Sequence, residues 1–452
     1  MNLDKIHSIY FIGIGGIGMS ALARYFSVNG KKISGYDRTP SPLTEELANE
    51  GMQIHFEENV ELIPKDVDLV VYTPAIPPDH KELVYYKEHH QHIIKRSDLL
   101  ETLTKDLFTI AIAGTHGKTT TSSMIAHILK DSGYDCTAFL GGITVNYNSN
   151  FLIGKNKTVV VEADEYDRSF LKLHPNIAVV TSCDADHLDI YGNEEEVVKA
   201  YGDFANQIKS TGILITKQKL PFLAYYSGFN TQFYSVSGDT DFHASNVRLE
   251  ESTYTFDFLT PEYSLADVHL SVAGYHNVEN AVAAGAVAYQ LEIGKEKIRA
   301  ALNSFKGVKR RFEFIVRNEK VVFIDDYAHH PAEITAFLKS VREIFPGKQI
   351  TCIFQPHLYT RTRDFADEFG RALSLADDLI LLPVYPAREE PIPGVTSEML
   401  LEKIAVQNKM VVEKKDLINE LSRREREVVV TVGAGDIDQE VEPIKMFLTS
   451  KS

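Results

Sequence analysis

The residues best suited to bind and move phosphate lie at Gly114-Thr115-His116-Gly117-Lys118-Thr119-Thr120. Glycines let backbone N–H groups close around an anion, a helix opening behind them adds the positive end of its dipole, and Lys118 adds a full charge. Thr119 sets a hydroxyl where a phosphate-bound Mg²⁺ would sit. The first glycine of the longer G-x-x-x-x-G-K-[ST] loop would fall at position 112, which is Ile, so only the shorter form remains. A plain glycine turn with Lys118 in water is the alternative. Nucleotide-phosphate binding is the better reading because an apolar run, Leu107 to Ala113, precedes the loop and a helical pattern of Met124, Ile125, Ile128 and Leu129 follows it.

Other chemistry-bearing residues fall at the ends of similar runs. Gly13-Ile14-Gly15-Gly16-Ile17-Gly18 fits G-x-G-x-x-G, with Asp37 about 20 residues on, the spacing of a dinucleotide turn and its ribose partner. Thr73 and Pro74 open a loop after Asp68–Tyr72, on the edge where ligands of parallel sheets bind. Thr158–Val161 leads into Glu162-Ala163-Asp164-Glu165-Tyr166-Asp167, and Ile177–Thr181 into Asp184-Ala185-Asp186-His187-Leu188-Asp189. Glu162 and His187 are therefore candidates to meet Thr119 on one divalent cation, whereas Asp167 and Asp189 serve equally well as helix caps. His276, Asn277 and Asn280 open a small-residue helix running to Leu291, as caps or as ligand contacts. Further on come Lys309-Arg310-Arg311, then Asp325-Asp326-Tyr327-Ala328-His329-His330, then His357, Arg361 and Arg363, then Tyr385 to Glu389 with Arg388. The arginines are natural carboxylate or phosphate clamps. His89, His90 and His92 read as a solvated helix end, since no carboxylate or thiol at ligand spacing accompanies them.

The elements that must hold these groups are strands alternating with helices. A chain of 452 residues suggests about three domains. Val321–Ile324, Ile350–Phe354, Leu379–Leu382 and Val428–Val432 read as parallel strands, and Phe242 to Ala273 as an antiparallel excursion. Hydrophobic residues at 44% and charged residues at 24% describe an ordinary globular composition. The formal net charge of -16 argues against a nucleic-acid partner. No apolar run approaches ~18 residues, so no membrane span or signal peptide is expected. Cys136, Cys183 and Cys352 show neither disulfide nor zinc spacing and fit a reducing cytoplasm.

Gly13 to Ser20, Gly-Thr-His-Gly-Lys-Thr-Thr, Glu-Ala-Asp-Glu, Asp-His-Leu-Asp, His-Asn-Val-x-Asn, Gly-Val-Lys-Arg-Arg-Phe, Asp-Asp-Tyr-x-His-His-Pro and Gln-Pro-His-x-Tyr-Thr-Arg-Thr-Arg follow in one order. Together they resemble the Mur ligases of peptidoglycan synthesis, most closely the alanine-adding branch, from about Ile9 to Asp436. That resemblance implies an α/β protein of three domains: a Rossmann-like UDP-sugar domain (1–105), a central P-loop ATPase-type domain with a mainly parallel sheet (106–306) and a Rossmann-like amino-acid-binding domain (307–452). It implies ATP-dependent joining of L-alanine to the lactyl carboxylate of UDP-N-acetylmuramate through an acyl phosphate, with Mg²⁺ as metal and Mn²⁺ able to substitute. Gly15, Gly16, Ile17, Gly18, Asp37, Thr73 and Pro74 would hold the UDP-sugar. Gly114, Thr115, His116, Gly117, Lys118, Thr119, Thr120, Asn277, Asn280 and Arg311 would hold ATP, and Thr119, Glu162 and His187 the metal. Tyr327, His329, His357 and Arg361 would face the amino acid. Lys118, His187, Arg311, Asp326 and His330 would be catalytic, His330 as acceptor of the amine proton. A cytoplasmic monomer or weak homodimer is expected.

Some residues depart from that branch. Tyr166 replaces a common Ser and resembles the branch that reattaches a recycled tripeptide, Leu358 replaces an Arg and Ala328 a Gly. Other members carry a carbamylated metal-site Lys, for which Lys199 is the nearest candidate but out of register. Three rival readings stay open: the tripeptide ligase, an NAD-dependent oxidoreductase prompted by Gly13–Gly18 with Asp37, and a P-loop switch acting on a partner.

Overall fold

The computed structural model describes residues 3–250, 252–387 and 389–450. It is a mixed α/β chain with three sheets. It divides into two compact units: 1–245 with 257–266 and 279–305, and 246–256 with 267–278 and 306–452. Arg388, one of the residues noted above, lies outside the described residues.

In the first unit, a five-stranded sheet runs in the spatial order Gln53–His55, Lys32–Tyr36, Ser8–Ile12, Leu69–Tyr72, Ile93–Lys95, with each neighbouring pair parallel. Alternation along Ser8–Ile12 sends Ile9 and Phe11 to one face, against Met19, Leu22 and Phe26, and Tyr10 and Ile12 to the other, against Tyr36, Leu83 and Tyr86. The first of these clusters continues past residue 105 into Phe139, Phe151, Val159 and Val161.

The Leu107–Ala113 run forms a strand over Phe108–Ala113, central in a second sheet and flanked in parallel by Ile177–Val180 and Thr158–Glu162. Its last five residues are all buried, which is why it reads as nearly unbroken apolar sequence. Ile213–Thr216 and Thr231–Ser235 extend the sheet on one side, and the hairpin Thr137–Thr144 with Ser149–Leu152 on the other. Phe242–Glu250, Thr253–Leu259 and Ser264–Leu270 follow one another at its far edge.

The second unit is built on a sheet in the order Glu313–Arg317, Val322–Asp326, Val428–Val432, Ile350–Phe354, Asp378–Leu381, Asn408–Val411. All its pairings are parallel except the first. The four strands read from sequence are its centre, and both edge strands are additions. Pro331 at the first turn and a His330/Glu333 capping box start the helix Pro331–Ile344 directly beneath the Asp325–His330 turn.

Candidate active site

The Gly114–Thr120 loop joins its strand to the helix Lys118–Asp131, whose helical run Gly133 ends at φ +79°. Gly114 and Gly117 have φ of +140° and +80°, so the loop needs glycine at both. A Cβ on Gly117 would also come within 2.8 Å of Asn280 Oδ1. The loop is held from beneath: Thr115 Oγ1 donates to the Asp184 carbonyl at 2.9 Å and the His116 amide to Ser182 Oγ at 2.9 Å. Lys118 Nζ donates to the Gly114 carbonyl at 2.6 Å and to Glu165 at 2.8 Å. Burial opposes the charge on Lys118, yet Glu165, with Asp164 and Glu162 beyond it, holds its pKa above the ordinary lysine value. Asn280 Oδ1 accepts from Thr121 Oγ1 at 3.2 Å, so its side chain faces the start of the same helix.

Glu162 ends its strand beside the loop. Its carboxylate accepts from Thr119 Oγ1 at 3.2 Å, Ser122 Oγ at 3.1 Å and the Gly141 amide at 2.7 Å. Thr119 and Glu162 thus meet, offering hard oxygen donors suited to Mg²⁺. His187 has φ +52° and sets its ring edge-on to Tyr166, 5.3 Å between centroids, with Nε2 3.8 Å from Asp186 Oδ2. Among the described residues its buried Nδ1 has no hydrogen-bond partner. Asp189's side chain lies outside the described residues, and Asp167 pairs with Lys95 at 3.2 Å. Lys199 is exposed on its helix, whereas Tyr201, two positions on, is fully buried.

At the first glycine turn, the Gly15 amide donates to Asp37 Oδ2 at 2.8 Å, and the Thr73 methyl would stand 3.0 Å from a Cβ on Gly13. A cavity of about 360 Å³ is lined by Gly16, Ile17, Gly18 and Thr73 together with Lys118, Glu162, Asp164 and Arg96. The two phosphate-type loops therefore open into one space within the first unit.

The second unit gathers the remaining candidates. Asp326 accepts from the Phe312 and Ala328 amides at 2.7 and 2.8 Å, and burial, only partly offset by Arg311, pushes its pKa up to about 6. Arg310 and Arg311 both lie over the Tyr327 ring, at 5.2 and 5.1 Å. Burial and the Arg311 charge bring His276 down to about 4, while Asn277 Nδ2 donates to the Ala273 carbonyl at 2.6 Å. The His329 ring lies 5.9 Å from that of His357, which stacks on Tyr385 at 5.7 Å and sits 3.4 Å from Arg361. Leu358 takes φ +71° at the start of the following short helix. His330 caps its helix through Nδ1, which accepts from the Ala332 amide at 3.4 Å.

Sequence reasoning missed Arg96, Glu165, Ser122 and Gly141. Glu165 sat inside a motif already noted, but the other three carry no motif and become visible only through what they touch. The His89–His92 cluster is a helix end: His89 follows the helix Lys81–Glu88 and both His89 and His90 are exposed. Among the described residues no three His, Cys, Asp or Glu side chains group around a metal position, and no helix is long and apolar enough to cross a membrane. The three cysteines are free and buried.

Mainly parallel sheets bearing a glycine turn, a Gly-Lys-Thr loop and an acid turn on a common cavity are the architecture of ATP-dependent ligases of the Mur type, and the chain belongs to the Mur ligase family. The family's catalytic-domain model matches residues 8–107, its middle domain 112–288 and its glutamate ligase domain 310–435. Among its relatives, the UDP-N-acetylmuramate–L-alanine ligase of Flavobacterium psychrophilum is 51% identical, with 100% of each chain covered. That of Parabacteroides distasonis is 48% identical over 99% of this chain and 98% of its own. The solved UDP-N-acetylmuramate–alanine ligase of Thermotoga maritima superposes with a TM-score of 0.84 at 28% identity, covering 98% of this chain and 100% of its own. A murein peptide ligase from Psychrobacter arcticus shares the fold, with a TM-score of 0.76 at 23% identity over 99% of both chains.

Proposed function

We propose that this chain joins L-alanine to the lactyl carboxylate of UDP-N-acetylmuramate, converting ATP to ADP and phosphate. The observation that carries the reading is the cavity bounded by Gly16–Gly18 at one loop and by Lys118 and Glu162 at the other. A sugar nucleotide seated on the first glycine turn directs its carboxylate toward the loop that grips ATP. Attack of the carboxylate oxygen on the γ-phosphorus breaks the bond to ADP and forms an acyl phosphate. The alanine amine then attacks the carbonyl carbon, loses a proton and expels phosphate. Lys118 offsets charge on the transferred phosphoryl oxygens, and the buried loop restrains its position. Thr119 and Glu162, with His187, would hold Mg²⁺, which when bound neutralises phosphate charge. In this reading Asn277, Asn280 and Arg311 contact nucleotide, Asp326 places it, and Tyr327, His329, His357 and Arg361 receive the amino acid. His330 takes the amine proton at Nδ1, the ring nitrogen whose lone pair otherwise accepts from the Ala332 amide in the helix cap.

Identities of 51% and 48% to two alanine ligases, over nearly the full length of each, support alanine as the amine. Tyr166, edge-on to His187, stands in the Glu-Ala-Asp-Glu-Tyr-Asp run that resembles the tripeptide-adding branch. Family membership over both glycine loops leaves the first no need of a nicotinamide. The same reading divides the chain at about 105 and 306 and assigns it to the cytoplasm. The test is product identification by mass spectrometry with purified protein, ATP, Mg²⁺, UDP-N-acetylmuramate and alanine competing with tripeptide. Alanyl product is expected, and Lys118→Ala should lower its rate by about 10²–10³-fold. Tripeptide product, or full-rate turnover by Lys118→Ala, would overturn the proposal.

A further inference from the structure

Arg96 is the cationic side chain in the shared cavity that no motif marks. It opens the helix Arg96–Thr104, and its side chain is only 19% exposed. One end of the guanidinium is tied: Nη2 donates to Asp164 Oδ2 at 2.9 Å. The other reaches the first glycine turn, where Nη1 would stand 2.7 Å from a Cβ on Gly18. Only a glycine lets the two approach so closely. The neighbouring Lys95 makes the parallel contact to Asp167 at 3.2 Å, so the strand-to-helix junction at 95–96 is clipped to the acid turn at both residues.

From this placement we propose that Arg96 binds the diphosphate of the sugar nucleotide. The fork of the guanidinium suits two phosphate oxygens, and the N-terminus of the helix Ile17–Val28 faces the same cavity. Without ligand, Asp164 occupies part of the fork; an arriving diphosphate competes with a carboxylate whose own side chain is 38% exposed. Asp164 is thus a mild competitor that keeps Arg96 aimed into the cavity. The inference rests on the ligase reading for the identity of the sugar nucleotide, but it concerns the diphosphate alone.

The test measures Kd by calorimetry for UDP, which has no lactyl carboxylate, for UDP-N-acetylmuramate, and for ATP. Arg96→Ala should weaken UDP and UDP-N-acetylmuramate alike by about tenfold or more and leave ATP unchanged. Arg96→Lys should recover part of that loss, since a point charge replaces a fork. Asp164→Asn, which keeps the Oδ1 contact to the Tyr166 amide, should tighten UDP severalfold, and the gain should vanish in Arg96→Ala/Asp164→Asn. Unchanged UDP affinity in Arg96→Ala, with only UDP-N-acetylmuramate weakened, would move the contact to the carboxylate and overturn the proposal. Equal weakening of ATP would make Arg96 a brace for the acid turn and also overturn it, as would failure of the wild-type chain to bind UDP. If Arg96→Ala does not fold, Arg96→Lys and Asp164→Asn carry the same comparison. Arg96-dependent UDP binding by a wild-type chain that forms no alanyl product would defeat the ligase reading and leave this one standing.

Discussion

Lys118 and Glu165 depend on one another before any nucleotide arrives. Their side chains are 17% and 5% exposed, so neither charge is well hydrated. Removing the carboxylate strands a buried ammonium, at a cost of about 3 kcal/mol. Glu165→Gln is therefore expected to melt earlier than the wild type in buffer, and the gap should narrow with saturating ATP, whose phosphates replace the lost partner. A gap that ATP leaves unaltered would contradict a phosphate position at Lys118. His276 is likewise set by the charge and burial around it. Its value of about 4 lies below the ordinary 6.5, so the stability it lends is present above about 6.5 and is lost as pH falls toward 4. Burial is the larger cause and Arg311 the next. Arg311→Met should raise the His276 titration midpoint in NMR spectra while leaving it below the usual range, and no upward shift would mean that Arg311 does not face the ring.

The strands and helices carry consequences of their own. Beneath the first sheet, fully buried Glu82 lies 2.6 Å from Tyr10 Oη, which lies 2.7 Å from His55 Nε2, and His55 Nδ1 lies 3.1 Å from the Glu57 carbonyl. Burial pushes Glu82 up to about 7. The Tyr10 hydroxyl and the Asn59 amide both donate to Glu82, but these bonds only partly offset the burial that favours its protonated form. Its contribution is present below about 4.5 and is lost as pH rises through about 7. Glu82→Gln should flatten the fall of Tm between pH 5 and 8 by roughly 2–4 °C, and an unaltered slope would reject a protonated Glu82. At the Pro331–Ile344 helix, asparagine also caps well, so His330→Asn should keep Tm and lose turnover, its pH profile separating proton acceptor from cap. The strand Val428–Val432 was legible because a buried parallel strand is apolar throughout. The hairpin from Thr137 was not, because Gly141-Gly142 interrupt its pattern, Gly141 making room for Glu162. Glu82 was illegible for a similar reason: in Lys81-Glu82-Leu83 it looks like an ordinary surface charge.

Across the described residues, the motifs mark the loops proposed to bind, but contacts distant in sequence determine how those loops are held. Arg24, 6% exposed, bonds Glu50 and Glu46 and also reaches Asn150 Oδ1 at 2.6 Å. Asn150 Nδ2 donates in turn to the Ile17 carbonyl at 2.6 Å and to Ser20 at 2.9 Å. Nothing in the local sequence around Asn150 predicts that partnership, since an Asn in a short hairpin reads as turn chemistry. Asn150→Ala should cost about 1–3 kcal/mol in denaturant melts, and an unchanged midpoint would show that the junction does not depend on it. Gly141 sets a narrower limit. Its missing side chain leaves room for Glu162, whose Oε2 would stand 2.2 Å from any added methyl. Gly141→Ala should therefore yield a protein that still captures ATP but stalls before spending it, a state in which the loaded enzyme could be caught and seen; brisk turnover by that variant would show that the carboxylate has somewhere else to go.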